Sequence, residues 1–139
     1  MSYKESSVKL MEAAGREVLV LDGAMGTMIQ RYGLSENDFR GERYAASDAL
    51  LKGCNDALVL TRPDVIKDIH RKYLEAGAMI IETDSFNANA VSLGDYGLQH
   101  DVTALNHAAA KVAREAADEY MTQHPGAMRW VAGSVGPTS

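Results

Sequence analysis

The chain has 139 residues, 46% hydrophobic and 24% charged, with 14 Lys and Arg against 19 Asp and Glu for a formal net charge of -5. That is the composition of one globular domain rather than a disordered tail, and charges of both signs are interspersed, so no basic stripe offers itself to nucleic acid. No apolar run approaches the roughly 18 residues that span a bilayer, Met1 to Glu17 has no signal-peptide core, and a single cysteine, Cys54, permits neither an intrachain disulfide nor a multi-cysteine zinc cluster; the expected location is cytoplasmic, with no membrane and no nucleic acid as partner.

Ser6 to Arg16 places apolar residues at helical spacing and reads as an N-terminal helix ending at Gly15, set to cover one end of the core. Glu17 to Leu21 is continuously apolar after its first residue and too short for a helix, as expected of a parallel strand covered on both faces. It breaks into Asp22-Gly23-Ala24-Met25-Gly26-Thr27, and a short helix over Met25 to Tyr32 closes at Gly33. Leu34 to Lys52 is polar with little periodicity and reads as an excursion over the mouth of the core. Asn55 to Thr61 reads as a strand or as an extended segment docked ahead of the next helix, the second being preferred.

Pro63 in the first turn and Asp64 beside it start a helix. Ile66, Ile69, His70, Tyr73 and Leu74 share one of its faces, and Gly77 ends it. Ala78 to Ile81 then reads as a second buried strand running into Glu82-Thr83-Asp84-Ser85. After a polar Asn87 to His100, a long helix from about Asp101 to Met121 turns Leu105, Ala109, Val112, Ala113, Ala116 and Tyr120 inward. Pro125-Gly126 breaks it before a third strand, Arg129 to Ala132. Strand, helix, strand, helix, strand is the parallel α/β pattern, here about three βα units of an incomplete barrel. Residues 1–16 form the helix and residues 17–139 the partial barrel, truncated at its third strand. The edge beside Trp130 and Val131 is left unpaired, so the isolated chain is expected to be marginally stable or self-associating.

In such folds ligands lie at the carboxyl ends of the strands, which here carry Asp22, Glu82-Thr83 and Gly133-Ser134. Asp22 there can bind an ammonium group, act as a general base, or cap its own turn. Gly23 and Gly26 either let the backbone approach an anion or serve tight turn geometry. Alternation along an extended chain sends Thr83 to the opposite side from Glu82 and Asp84, so one set at most faces the site; Thr83 is the preferred contact, because Glu82 can equally bond to neighbouring backbone. His70 reads as a satisfied core or boundary histidine and Cys54 as a small, partly buried hydrophobe. His100 and His107 lack a third ligand for a metal.

The ordered set Leu21-Asp22-Gly23-Ala24-Met25-Gly26-Thr27, Asp38-Phe39-Arg40-Gly41-Glu42-Arg43, Asn55-Asp56-Ala57-Leu58, Ile80-Ile81-Glu82-Thr83-Asp84-Ser85-Phe86-Asn87 and Val131-Ala132-Gly133-Ser134-Val135-Gly136-Pro137-Thr138 resembles the start of the homocysteine-binding domain of cobalamin-dependent methionine synthases. The Phe39 to Glu42 segment favours these over betaine-dependent relatives. The resemblance implies a (β/α)8 TIM barrel in which zinc, held by three cysteines expected beyond Ser139, binds homocysteine as a thiolate. That thiolate takes a methyl group from methylcobalamin, which 5-methyltetrahydrofolate recharges on other modules of the parent chain. By the same resemblance Asp22 is the partner of the substrate ammonium, the backbone of Gly23, Ala24 and Met25 faces its carboxylate, and Thr83 with Glu82 lies alongside. No catalytic group and no cofactor is expected to be held by this chain alone. The family commonly has Asn-Thr where Asp84-Ser85 stands, and often a second glycine in place of Ala24. The alternatives are a homocysteine S-methyltransferase using a betaine or S-methylmethionine donor, and a non-catalytic amino-acid-binding module.

Overall fold

The structure is a computed structural model that describes residues 1–138, so Ser139, the end of the 17–139 assignment, lies outside the described residues. Helix α1 spans Tyr3–Ala14 and starts ahead of the expected Ser6, because Ser2 and Glu5 form a reciprocal capping box. It reaches the end of the core through buried Ala13, and through Ser6, whose carbonyl accepts from Trp130 Nε1–H at 3.2 Å.

The expected first strand, Glu17 to Leu21, is reduced to a single parallel bridge between Leu21 and Ile80. The Val20 carbonyl accepts from the N–H groups of Met79 and Ile80 at 2.7 and 3.1 Å, and Asp22 N–H donates to Ile80 O at 2.9 Å. Nor is the segment buried on both faces, since Val18 is 86% exposed and Leu21 51%. Burial of a parallel strand requires neighbours on either side. Among the described residues this one has a neighbour on one side only.

Helix α2, Met25–Gln30, forms as expected, and Gly33 beyond it adopts φ +58°, the left-handed conformation glycine takes at least cost. The polar excursion departs most from expectation, for it is neither structureless nor draped over a core. Ser35 and Asp38 build a capping box for α3, Glu36–Arg40. The Glu36 carboxylate then accepts from Leu51 and Lys52 N–H at 2.6 and 2.7 Å. Arg40 donates to the carbonyls of Ser47 and Ala49 at 2.5 and 2.6 Å. Charges that read as solvated are spent closing the loop, and this lets Leu34, Phe39, Tyr44, Leu51 and Cys54 go inside. Asn55–Ala57 is a 3-10 turn leading into α4, Leu58–Thr61, where a strand or extended segment was expected. An apolar run that short does not distinguish a strand from a buried helical turn.

Helix α5, Pro63–Glu75, buries Val65, Ile66, Ile69, His70 and Leu74, and Gly77 follows at φ +107°. Strand β1, Ile80–Glu82, comes next, then α6 at Ala90–Gly94, α7 at Val102–Gln123 and β2 at Trp130–Ala132. β1 and β2 pair in parallel with Ile80 opposite Trp130 and Glu82 opposite Ala132, so the bridge at Leu21, β1 and β2 stand in chain order. The outer edge of β2 has no strand beside it among the described residues. Two cores result. Leu74, Ala78 and Ile81 meet Ala113, Ala116 and Ala117 of α7 beneath the sheet, where alanines permit close approach. The larger core lies between the excursion and helices α5 and α7, around Leu51, Leu58, Ile66, Ile69, Leu93 and Leu105.

His70 sits in this helical layer with 0% exposure, and neither ring nitrogen has a hydrogen-bond partner among the described residues. It is therefore a core histidine but not a satisfied one, and burial pushes it down to about 4, leaving the ring neutral. No helix among the described residues is long and apolar enough to cross a membrane.

Candidate functional site

The three chain segments that end the sheet meet around one cavity of about 410 Å³. Asp22, Gly23, Ala24, Met25, Glu82 and Thr83 all line it, as does Ser134 from the third segment. The segment that follows the excursion adds Gly53, Asn55 and Asp56, and the loop after β1 adds Asp84, Phe86 and Asn87. Among the described residues no lysine or arginine lines the cavity, while four carboxyl groups do.

Asp22 does not spend its carboxylate on its own glycine turn. Its Oδ2 accepts from Glu82 N–H at 3.0 Å, tying the first strand end to the second, while Oδ1 is buried without a partner among the described residues. Burial, with a smaller contribution from the Glu82 charge, raises its carboxyl to about 6, against the pull of the Glu82 N–H. A carboxylate held this way gains from any cation that reaches Oδ1.

The glycine turn is shaped by packing rather than by a left-handed backbone. Neither Gly23 nor Gly26 has positive φ, and Ala24 sits comfortably at φ -58° and ψ 123°. A Cβ on Gly23 would lie 3.2 Å from the Tyr73 hydroxyl, and one on Gly26 would lie 3.4 Å from Asn55 Nδ2. Tyr73 Oη donates to Ala24 O at 2.8 Å, so α5 clamps the turn from behind. The N–H groups of Gly23, Ala24 and Met25 donate to no carbonyl among the described residues.

Thr83 lies at the sheet end as expected, but its hydroxyl is already engaged. Ser134 N–H donates to Thr83 Oγ1 at 2.9 Å, Thr83 Oγ1 and Ser85 Oγ are 2.6 Å apart, and Ser85 Oγ donates to Ser134 O at 2.9 Å. With the Ser85 proton on Ser134 O, the Thr83 proton goes to Ser85. Thr83 therefore stitches β1 to the chain after β2 and offers a ligand one remaining lone pair. Gly136 N–H also donates to Phe86 O at 2.9 Å, and a Cβ at Gly136 would collide with that carbonyl. The expected alternation that would turn Thr83 away from Glu82 and Asp84 does not operate, because β1 ends at Glu82 and all three residues reach the cavity.

Two further acids line the cavity: Asp84, which the sequence placed at the second strand end but did not prefer as a contact, and Asp56, which strand-end reasoning did not single out. Asp56 is 5% exposed, and its Oδ2 accepts from Asn87 N–H at 3.0 Å. Asp84 is 7% exposed, and its Oδ2 has no partner among the described residues. Burial raises both carboxyls, and the Asp56 charge adds to the rise at Asp84. The available signal was an Asn-Asp pair opening a run of buried apolar residues.

The zinc ligands implied by the resemblance are expected beyond Ser139, and the described residues do not by themselves make a site for the ion. Among the described residues no group of three or more His, Cys, Asp or Glu is placed to hold a metal ion. Cys54 is buried, as expected, and burial pushes its thiol up to about 11, far from the thiolate that zinc requires.

Comparison with known proteins adds three findings. The family model for homocysteine S-methyltransferases matches residues 19–139. The chain is similar to the homocysteine methyltransferase MmuM from Escherichia coli in its oxidized form, with a TM-score of 0.73 and 28% identity over 92% of this chain and 40% of that one. The metallated form gives 0.68 and 28% over 89% and 40%, and the apo form 0.60 and 27% over 88% and 37%. The chain thus spans about 40% of the length of the structures it matches, and its architecture is a partial α/β unit of their TIM-barrel-type fold.

Proposed function

The chain belongs to the homocysteine S-methyltransferase family, and on that premise we propose that it forms the substrate-anchoring part of a methionine synthase barrel, residues 17–139, behind the accessory helix of residues 1–16. The observation that carries this reading is Asp22, whose Oδ1 is buried without a partner at the mouth of a cavity containing no basic side chain. An amino acid's ammonium group satisfies that oxygen and returns the Asp22 carboxyl to its ionised form. The N–H groups of Gly23, Ala24 and Met25 face the substrate carboxylate, while Glu82 and the last Thr83 lone pair, both acceptors, serve the ammonium side of the substrate.

In this reading the parent enzyme acts in the cytoplasm. It transfers a methyl group from methylcobalamin, recharged by 5-methyltetrahydrofolate, to homocysteine. In the same reading the zinc that would activate the thiol belongs to cysteines beyond Ser139, and among the described residues no group of three or more His, Cys, Asp or Glu is placed to hold it. Alone, the chain binds and orients homocysteine and moves no methyl group. The similarity to MmuM, a homocysteine methyltransferase, supports homocysteine as the acceptor.

Calorimetric titration of the chain with homocysteine, methionine and the amine-free analogue 4-mercaptobutanoate, with and without zinc, tests the proposal. Binding of homocysteine that is lost with the amine and lost in Asp22→Asn supports it. Equal binding of the analogue refutes the ammonium clamp. Tight, zinc-independent preference for methionine over homocysteine favours a non-catalytic amino-acid module instead.

A further inference from the structure

The Asp56 and Asp84 pair has no part in the reading above, yet it lies in the same cavity and is its most buried polar feature. Two carboxylates cannot both ionise at close quarters away from water unless a cation joins them, and no basic side chain lines this cavity. Which of the two keeps its charge follows from the donors around them. Asp56 Oδ2 receives the Asn87 N–H, whereas Asp84 Oδ2 receives none. The other acids on the cavity, Asp22 and Glu82, are of the same sign, and Tyr96 beside Asp56 is neutral. None of them stabilises a charge on Asp84.

We propose that Asp84 stands as a neutral carboxylic acid beside an ionised Asp56, and that its O–H is a hydrogen-bond donor to the carboxylate of the amino acid bound in this cavity. Asp84 is then a specificity-determining residue: it adds a neutral donor to the N–H groups of Gly23, Ala24 and Met25 in a cavity that no lysine or arginine lines among the described residues. This rests on the amino-acid reading for the ligand, but the proton assignment does not.

Two measurements separate these parts. Infrared difference spectra of the ligand-free chain carrying 13C-labelled aspartate, wild type minus Asp84→Asn at pH 7, are expected to show a protonated carboxyl band lost in the variant; absence of the band overturns the assignment. Binding of homocysteine is then compared with that of 3-aminopropanethiol, which lacks the carboxylate. Asp84→Asn keeps a neutral donor and is expected to stay within about threefold of wild type, while Asp84→Leu loses about tenfold for homocysteine and nothing for 3-aminopropanethiol, the worth of one hydrogen bond. A loss in Asp84→Asn as large as in Asp84→Leu overturns the donor role and marks a charged carboxylate that binds ammonium. Should Asp84→Leu not fold, the infrared band and the Asp84→Asn affinity still decide. Binding of neither thiol to wild type removes the amino-acid reading and the donor role together, and the band alone then judges the proton.

Discussion

Replacing Asp22 by Asn should stabilise the chain at neutral pH while removing the proposed ammonium clamp. The Asn carbonyl oxygen can still accept from Glu82 N–H, as Asp22 Oδ2 does at 3.0 Å. What disappears is the charge on a carboxyl whose other oxygen is buried and unpartnered. That carboxyl rises from its ordinary 3.8 to about 6 in the folded chain. A group raised by folding contributes stability that is fully present below its unfolded value and is lost as the pH climbs through the folded one. At about 1.4 kcal/mol per pH unit the loss would approach 3 kcal/mol for a group wholly shielded from water; Asp22 is half-buried, so solvent screening reduces this to about 1 to 2 kcal/mol. The assay is urea unfolding of wild type and Asp22→Asn at several values between pH 3.5 and 8. The variant should match wild type at the acid end and exceed it by about 1 to 2 kcal/mol above pH 7. A variant less stable than wild type at pH 7.5, or a gap that does not change with pH, would refute the reasoning. The same substitution should abolish selection for the amine, a trade of binding for stability expected at functional acids.

His70 makes the opposite pH prediction. Its ring falls from 6.5 to about 4 on burial, so stability is lost as the pH drops below the unfolded value, by up to about 3 kcal/mol near pH 4; urea unfolding of His70→Met should show that acid slope flattened. Glu36→Ala frees the Leu51 and Lys52 amides that Glu36 holds, and hydrogen exchange at those two positions should quicken by about tenfold or more, with the α7 amides unchanged. Sedimentation of the isolated chain should reveal concentration-dependent association through the open edge of β2 and the exposed first strand segment, whereas a cooperative, monomeric melt at low concentration would count against it.

Much of the architecture was legible because it is written in local signals. Pro63, Asp64 and Gly77 bracket α5, alanine spacing sets the inward face of α7, and the strand ends converge on one cavity. That the acids Asp22 and Glu82 and the hydroxyl residue Thr83 line it together follows from the same logic, since strand ends of a parallel sheet converge whatever their flanking residues. The excursion was not legible, because Glu36 and Arg40 read as solvated charges until the carbonyls and amides they serve are brought back to them by the fold. Strand one misled in the other direction: Val18 to Leu21 has the apolarity of a buried strand, but burial is supplied by neighbours, and among the described residues these flank it on one side only.

The amino-acid sequence by itself determined helices α5 and α7, the parallel pairing of β1 and β2 and, through its ordered motifs, the family, because each depends on residue type at fixed positions along the chain. Only the tertiary structure decided that Thr83 is committed to Ser85 and Ser134, that Gly23 is needed for Tyr73 rather than for its own φ, and that Asp56 and Asp84 share the cavity floor with Asp22. Those are relations between residues far apart in the chain, and whether a polar atom is satisfied or orphaned depends on which distant groups reach it.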